Sequence, residues 1–283
     1  MTHGLSSAPA LTAPFVQRLP NGLTIIVEQT PIEAVNLSLW LGVGSAIEPD
    51  PVNGMAHFLE HMIFKGTARL ESGEFERAIE QRGAVTNAAT SQDYTYYYIT
   101  TAPHDFAELA PLQIEVVLNA AIPDDAFERE RSVVLEEIRR SNDSPRRRIF
   151  QRSMELAFDQ LPYRRPVLGT EAVIGSLKAQ QMRDFHSTWY RPQSMTAVAV
   201  GNLPPEQLIE IVANGFNHAY AHHASPSYDT ATEALAMAPS LSVESAFPAI
   251  ARQSFVDPSL QQARLVMVWR VPGMNDLAQT YAL

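Results

Sequence analysis

The spacing of apolar residues changes repeatedly between residues 15 and 218, and these changes limit the folds open to the chain. Runs rich in β-branched residues, which are typical of strands, lie at Arg18–Glu28, Val35–Val43, Val85–Thr101 and Met195–Gly201. Apolar residues at helical spacing indicate helices at Asn53–Phe64, Ser72–Arg82, Asp105–Ala120, Asp124–Ser141, Pro145–Phe158, Ser176–Tyr190 and Pro204–Phe216. Strand and helix patterns together predict an α+β domain, in which we expect the first two strands to be adjacent.

The sequence changes character after this first domain. Residues 219–259 are rich in Ala, Ser and Pro and have little periodicity, as expected of a linker between domains. A strand pattern resumes at Gln262–Val271, and Asp276–Leu283 has the pattern of a helix. We therefore predict a domain at 15–218, a linker at 219–259 and the beginning of a second, incomplete domain at 260–283.

Composition and charge exclude several classes of protein. With 46% hydrophobic and 18% charged residues, the 283-residue chain has the balance of a globular protein rather than a disordered one. The net charge of −10 and the lack of a basic stripe argue against nucleic acid or an anionic membrane surface as a partner. Because the sequence has no cysteine, any metal must be held by histidine and carboxylate groups.

The sequence carries no signal for membrane insertion or export. No stretch approaches the roughly 18–20 continuous apolar residues that span a bilayer. Residues 1–14 lack the basic and apolar regions of a secretory signal. We therefore expect no membrane association and, by default, a cytoplasmic location.

The pattern His57-Phe58-Leu59-Glu60-His61 is the most specific chemical signal in the sequence. On a helix, positions i, i+3 and i+4 share one face, so both imidazoles and the carboxylate converge. Two histidines beside a glutamate suit a metal ion with a base next to it. The alternative for this pattern alone is a helix with two surface histidines.

The predicted helix Asp124–Ser141 offers a third metal ligand, since a catalytic zinc usually has three from the protein. Two glutamates, Glu130 and Glu137, fall in its apolar stripe. The rest of the stripe is Phe127, Val133, Val134 and Ile138, and the polar face is Arg129, Ser132, Glu136, Arg139 and Arg140. Burying a carboxylate without a partner costs on the order of several kcal/mol, so a nearby cation is the simplest explanation. An exposed stripe at a ragged helix boundary is the alternative.

The stretch from His57 to Thr67 resembles the inverted zinc-binding helix of the pitrilysin/insulinase family of metallopeptidases. The likeness is strongest to the short processing-peptidase forms of bacteria and mitochondria. In that family the third zinc ligand is a later glutamate in a Val-Val-Leu-Glu-Glu-Ile context. Here that string is Val133–Ile138, and 75 residues lie between His61 and Glu137, a spacing similar to that of the family. The resemblance covers nearly the whole chain and selects Glu137, in agreement with the helical face.

The resemblance implies a fold, a cofactor and roles for these residues. The fold would be a mostly antiparallel sheet covered by helices on one face. His57, His61 and Glu137 would bind one zinc ion per chain, and Glu60 would be the general base. Glu130 matches a family glutamate that supports the site, because carboxylates next to metal-binding imidazoles orient them.

A substrate-binding strand is also implied by the resemblance. The segment Asn87–Thr95 matches the family strand that follows the second helix and holds the substrate backbone. Asn87 and Ala88 would contact the substrate there, since an open strand edge pairs with an extended peptide with little regard to its sequence. The alternative for this segment alone is a tyrosine-rich structural strand.

The implied activity is that of a zinc-dependent endopeptidase acting on unfolded or extended peptides. Complete short members have two homologous domains that close a chamber, so the implied partner is a second homologous half or subunit, in a homo- or heterodimer. One alternative is a non-catalytic subunit that serves assembly or substrate capture, but such members generally lose the zinc residues. Another is a structural zinc domain, which would not need Glu60.

Overall fold

One open sheet of six strands organises the chain in a computed structural model that describes residues 13–221, 244–271 and 273. The strands are β1 (Phe15–Arg18), β2 (Thr24–Gln29), β3 (Val35–Leu41), β4 (Val85–Thr90), β5 (Thr95–Thr101) and β6 (Met195–Gly201). Their spatial order is β1-β2-β6-β3-β5-β4. Only the β2–β6 pair is parallel, and the other four pairs are antiparallel. The mostly antiparallel sheet is therefore confirmed, and β4 lies at one of its edges.

Helices pack against one face of this sheet. They are α1 (Met55–Met62), α2 (Glu74–Gln81), α3 (Phe106–Leu118), α4 (Asp124–Asp143), α5 (Pro145–Ala157), α6 (Glu171–Ser176), α7 (Ala179–Trp189) and α8 (Pro205–Ala221). Alternate residues of the central strands, such as Leu37, Leu39 and Tyr97, are fully buried beneath them. The α+β class is confirmed. Among the described helices, none combines the length and apolarity needed to cross a membrane.

The first two predicted strands are not neighbours, which corrects our expectation. The Asn21-Gly22 turn instead joins the short strand β1 to β2 in a hairpin, with Gly22 at a φ of 89°. Strand β6 then lies between β2 and β3. Pairing between strands so distant in the sequence leaves no local pattern, so only the fold reveals it.

One predicted strand is divided into two, and one short helix was not predicted. The run Val85–Thr101 is a hairpin, in which a turn at 91–94 separates β4 from β5. The predicted helix at 176–190 is α7, preceded by the separate short helix α6. The core includes Ile174 of α6, Leu177 between the two helices and Met182 of α7.

The predicted strand at Gln262–Val271 is wrong, because these residues have no regular secondary structure. They are largely exposed, with Leu265 at 83% and Trp269 at 70%. A strand needs a neighbour for its backbone groups, and no described strand pairs with this run. The predicted helix Asp276–Leu283 and most of the predicted linker lie outside the described residues. The domain boundaries therefore stay predictions.

Candidate metal centre

A buried glutamate, Glu48, holds the N-terminus of helix α1. Its Oε2 accepts the backbone N–H of Gly54 at 2.8 Å, and its Oε1 accepts the N–H of Ala56 at 2.7 Å. The side-chain amide of Asn53 donates to Oε2 at 3.0 Å. Burial raises the pKa of Glu48, although these hydrogen bonds oppose the shift. A carboxylate at this end satisfies free N–H groups and interacts favourably with the helix dipole, so it fixes where α1 begins, just before His57.

The imidazoles of His57 and His61 converge with the carboxylate of Glu137 from α4. Each histidine Nε2 lies 3.5 Å from Oε2 of Glu137. One ligand atom from each of the three residues lies within 4.8 Å of the other two. Tetrahedral zinc, with bonds of about 2.0–2.1 Å, places its ligand atoms roughly 3.3 Å apart. The spacing and the His₂Glu donor set therefore fit zinc.

The environment sets the protonation of these three groups. Burial and the neighbouring His61 lower the pKa of His57 to about 4, so its imidazole is neutral at pH 7. The hydrogen bond with His61 lowers the pKa of Glu137, which is therefore ionised. Burial opposes a charge on His61, but its bonds to Glu137 and Glu130 outweigh this and raise its pKa. Because a metal ion binds the neutral imidazole, a bound cation would compete with protonation of His61.

Glu130 connects the site to a lysine. Its Oε1 lies 3.0 Å from Nδ1 of His61, and its Oε2 lies 2.7 Å from Nζ of Lys65. Burial opposes ionisation of Glu130, but the bonds from Lys65 and His61 outweigh it and lower its pKa. An ionised carboxylate on Nδ1 leaves Nε2 of His61 free to face Glu137, which is the arrangement that orients a metal-binding imidazole.

Glu60 points from α1 towards the edge strand β4. The hydroxyl of Thr90 donates to its Oε2 at 2.5 Å. Burial raises the pKa of Glu60, and the hydrogen bonds from Thr90 oppose this. A carboxylate with a raised pKa beside a metal site is suited to accept and return a proton.

Asn87 and Ala88 lie on β4, at the free edge of the sheet and next to Glu60. The backbone N–H of Ala88 donates to the side-chain Oδ1 of Asn87 at 2.9 Å. This backbone N–H group therefore has an acceptor within its own strand. It could instead donate to a backbone carbonyl of an arriving peptide. The structure brings both residues to the cavity beside Glu60 and His61.

The exposure of the α4 side chains agrees with the predicted buried stripe, with one exception. The side chains of Glu130 and Glu137 are 13% and 39% exposed, beside the fully buried Phe127 and Val134. Val133, which we placed in the buried stripe, is 50% exposed. The buried stripe of α4 is therefore narrower than the spacing of apolar residues predicts.

The sequence analysis assigned no role to Glu48, Thr90 or Lys65. Each of these residues contacts a partner that the sequence pattern does not place beside it. Glu48 is the exception, because it lies only six residues before Gly54. An acidic residue shortly before a helix start is a known capping signal that could have indicated it.

Substitution of Glu48 by alanine is expected to lower the free energy of unfolding by about 2–4 kcal/mol. The change leaves two backbone N–H groups without their acceptor in a buried site, and the Asn53 amide keeps only its hydrogen bond to the carbonyl of Pro166. Urea denaturation of the zinc-free protein measures this loss. Glu33→Ala, at an exposed turn position, is the control and should change stability by less than about 0.5 kcal/mol. Equal stability of the two variants would contradict the capping role.

Known proteins resemble this chain in both sequence and fold. An uncharacterized zinc protease of Mycobacterium leprae is 34% identical over 199 residues, which are 70% of this chain and 45% of the relative. The beta subunit of the mitochondrial-processing peptidase of Lentinula edodes is 32% identical over 220 residues, 76% of this chain and 47% of the relative. The crystal structure of a protease from Helicobacter pylori has a TM-score of 0.72 at 28% identity, covering 77% of this chain and 52% of that one.

The family profiles agree with these relatives. Residues 24–171 match insulinase (peptidase family M16), and residues 176–283 match the peptidase M16 inactive domain. The chain spans about half the length of the relatives that it matches. The resemblance to the pitrilysin/insulinase family is thus confirmed, and the chain belongs to the insulinase family of M16 peptidases.

Proposed function

We propose that this chain is the zinc-binding part of a metalloendopeptidase that hydrolyses unfolded or extended peptides. The observation that carries the proposal is the convergence of His57, His61 and Glu137 beside Glu60 at a free sheet edge. The relatives named as zinc proteases support the same metal. One zinc ion per chain would be held by these three ligands.

Each residue of the site has a defined task in this proposal. When bound, zinc lowers the pKa of a water molecule towards about 7 and polarises the scissile carbonyl. Glu60 would take a proton from the attacking water and return it to the leaving amine. Thr90 holds the Glu60 carboxylate in place through its hydroxyl. Glu130 fixes the ring of His61.

The free edge of β4 gives the substrate its place. An extended peptide could add to this edge as a further strand, with Asn87 and Ala88 contacting its backbone. Such pairing needs an unfolded or extended segment, because a folded protein does not offer free backbone groups. A second homologous half, on the same chain or another subunit, would complete the chamber. The family profile over residues 176–283 and the length of the relatives support such a half.

The metal content of the purified protein tests this proposal. We expect about one zinc per chain by elemental analysis, and peptide cleavage that stops on chelation and returns with zinc. Casein and a mixture of short unstructured peptides are suitable substrates. Failure to retain or rebind zinc would contradict the proposal.

The second candidate function is a non-catalytic subunit that captures substrate or serves assembly. It is favoured by the match of residues 176–283 to a domain described as inactive. The ligand set at residues 57–137 argues against it, because a subunit without chemistry has no need of a metal site with a base. Zinc binding without cleavage, both alone and with a complementary half, would support this alternative.

A further inference from the structure

Helix α5 begins close to the metal ligand Glu137 of α4. A single residue connects the two helices, since α4 ends at Asp143 and α5 begins at Pro145. The guanidinium of Arg148 donates to the carbonyl of Asn142 at 2.5 Å, so the first turn of α5 is folded back against the end of α4. Only six residues, or about 9 Å of helix, separate Glu137 from that end.

The first turn of α5 contains three consecutive arginines, Arg146, Arg147 and Arg148. The charge of Arg148 is offset, because two of its guanidinium nitrogens lie 2.5 and 3.1 Å from Oδ2 of Asp257. Arg146 and Arg147 are exposed, and neither forms an ion pair within the part of the chain that the structure describes. The turn therefore presents two unpaired positive charges.

The charge of Arg147 acts on the metal centre. It is one of the charges that lower the pKa of Glu137, whose side chain is 39% exposed and is the most exposed of the three metal ligands. Charges interact across water over about 10 Å at 0.1 M salt. An extended peptide advances about 3.3 Å per residue, so this reach corresponds to about three residues of a peptide bound at the metal centre.

Arginine is also an unfavourable residue for the first turn of a helix. The N-terminus of a helix has a partial positive charge, which favours Asp and Glu there and disfavours Arg. The first turn of α5 has no acidic residue to compensate. Residues that oppose the local structure are often explained by function, and recognition of an anion next to the metal centre would be such a function.

In the proposed zinc-loaded state, the other charges of the site are balanced. Zinc, two neutral histidines, Glu137 and Glu60 together carry no net charge. Lys65 and Glu130 form an ion pair with 2.7 Å between Nζ and Oε2. The positive charge of Arg147 is then left over, and an anionic group of the substrate would balance it. The planar guanidinium of arginine suits a carboxylate, because it can donate two parallel hydrogen bonds to it.

We propose that Arg147 binds a carboxylate of the peptide substrate, within about three residues of the bond that is cut. The inference rests on the proposed peptidase function and deepens it. The carboxylate belongs either to an acidic side chain or to the C-terminus of a short peptide, and the test separates these two sources. Arg147 is a specificity residue in this proposal and takes no part in the chemistry.

The first test is steady-state kinetics of the zinc-loaded chain on unstructured peptides with glutamate or glutamine at each of the three positions on either side of the cleaved bond. At one position, glutamate should raise kcat/KM about three- to fivefold, mainly through a lower KM. Arg147→Gln should bring this ratio to within about twofold of one, and Arg147→Glu should create a preference for lysine. Peptides that end within this span, with a free or an amidated C-terminus, test the terminal carboxylate in the same way.

Arg146→Gln is the matched control, because it removes the same charge from the neighbouring exposed position of α5. Its preference should equal that of the wild type, and an equal loss in both variants would refute a specific contact with Arg147. Zinc content and thermal unfolding should be the same in all variants. A wild-type chain without preference for a carboxylate, or a preference that survives in Arg147→Gln, would overturn the role of Arg147.

A binding measurement separates this inference from the proposed function. Fluorescence anisotropy on a Glu60→Gln background compares labelled peptides that differ only in glutamate or glutamine. The glutamate peptide should bind about three- to fivefold more tightly at 0.1 M salt, and either Arg147→Gln or 1 M salt, which shortens the screening length to about 3 Å, should remove the difference. Equal binding, or binding of neither peptide, overturns the role of Arg147. Zinc binding without cleavage of any peptide contradicts the proposed function alone.

Discussion

Replacement of Glu60 by glutamine is expected to lower kcat for peptide cleavage by about 10²–10⁴-fold while zinc stays bound, as is typical for loss of a positioned general base. Glutamine keeps the size of the side chain, and its oxygen can still accept the hydroxyl of Thr90. It cannot take a proton from water. Steady-state kinetics on an unstructured peptide, together with elemental analysis, measures both parts of the prediction.

A matched control is available on the surface. Glu210→Gln removes the same charge at an exposed position of α8, away from the sheet edge, and should leave kcat and zinc content unchanged. Wild-type rates in Glu60→Gln would show that another group takes the proton. Loss of zinc in this variant would instead indicate that Glu60 is a ligand.

The local part of the site follows from the sequence because helical geometry alone creates it. His57, Glu60 and His61 share one face of α1 whatever surrounds the helix. The choice of Glu137 also depends on helical spacing. Of the glutamates of α4, only Glu130 and Glu137 lie on the same helical face as its buried residues. The presence of the sheet strands was also predictable from a local pattern, because residues that alternate along a strand are buried on one side.

The remaining features depend on contacts between distant parts of the chain. Thr90 reaches Glu60 across 30 residues, and its role depends on β4 being the edge strand next to α1. Strand order itself could not be predicted, because β6 lies between β2 and β3 although it is the last of the described strands along the chain.

Replacement of Glu137 by glutamine is expected to weaken zinc binding by more than about 100-fold. Loss of a carboxylate that only orients a ligand already costs roughly 10–100-fold, and a direct anionic ligand should cost more. The lowered pKa of Glu137 shows that its ionised form is favoured next to His61 and His57. Competition with a chromophoric zinc chelator at fixed pH measures the affinity.

Three glutamates of α4 give a graded series that identifies the ligand. Glu136→Gln should leave zinc affinity unchanged, because Glu136 is half exposed and pairs with Arg140 at 3.3 Å on the polar face. Glu130→Gln should weaken zinc by roughly 10–100-fold, since it removes the acceptor from Nδ1 of His61. If either variant lost more affinity than Glu137→Gln, that residue would be the third ligand. The order of the three losses therefore tests the geometry of the site directly, without a substrate and without the complementary half.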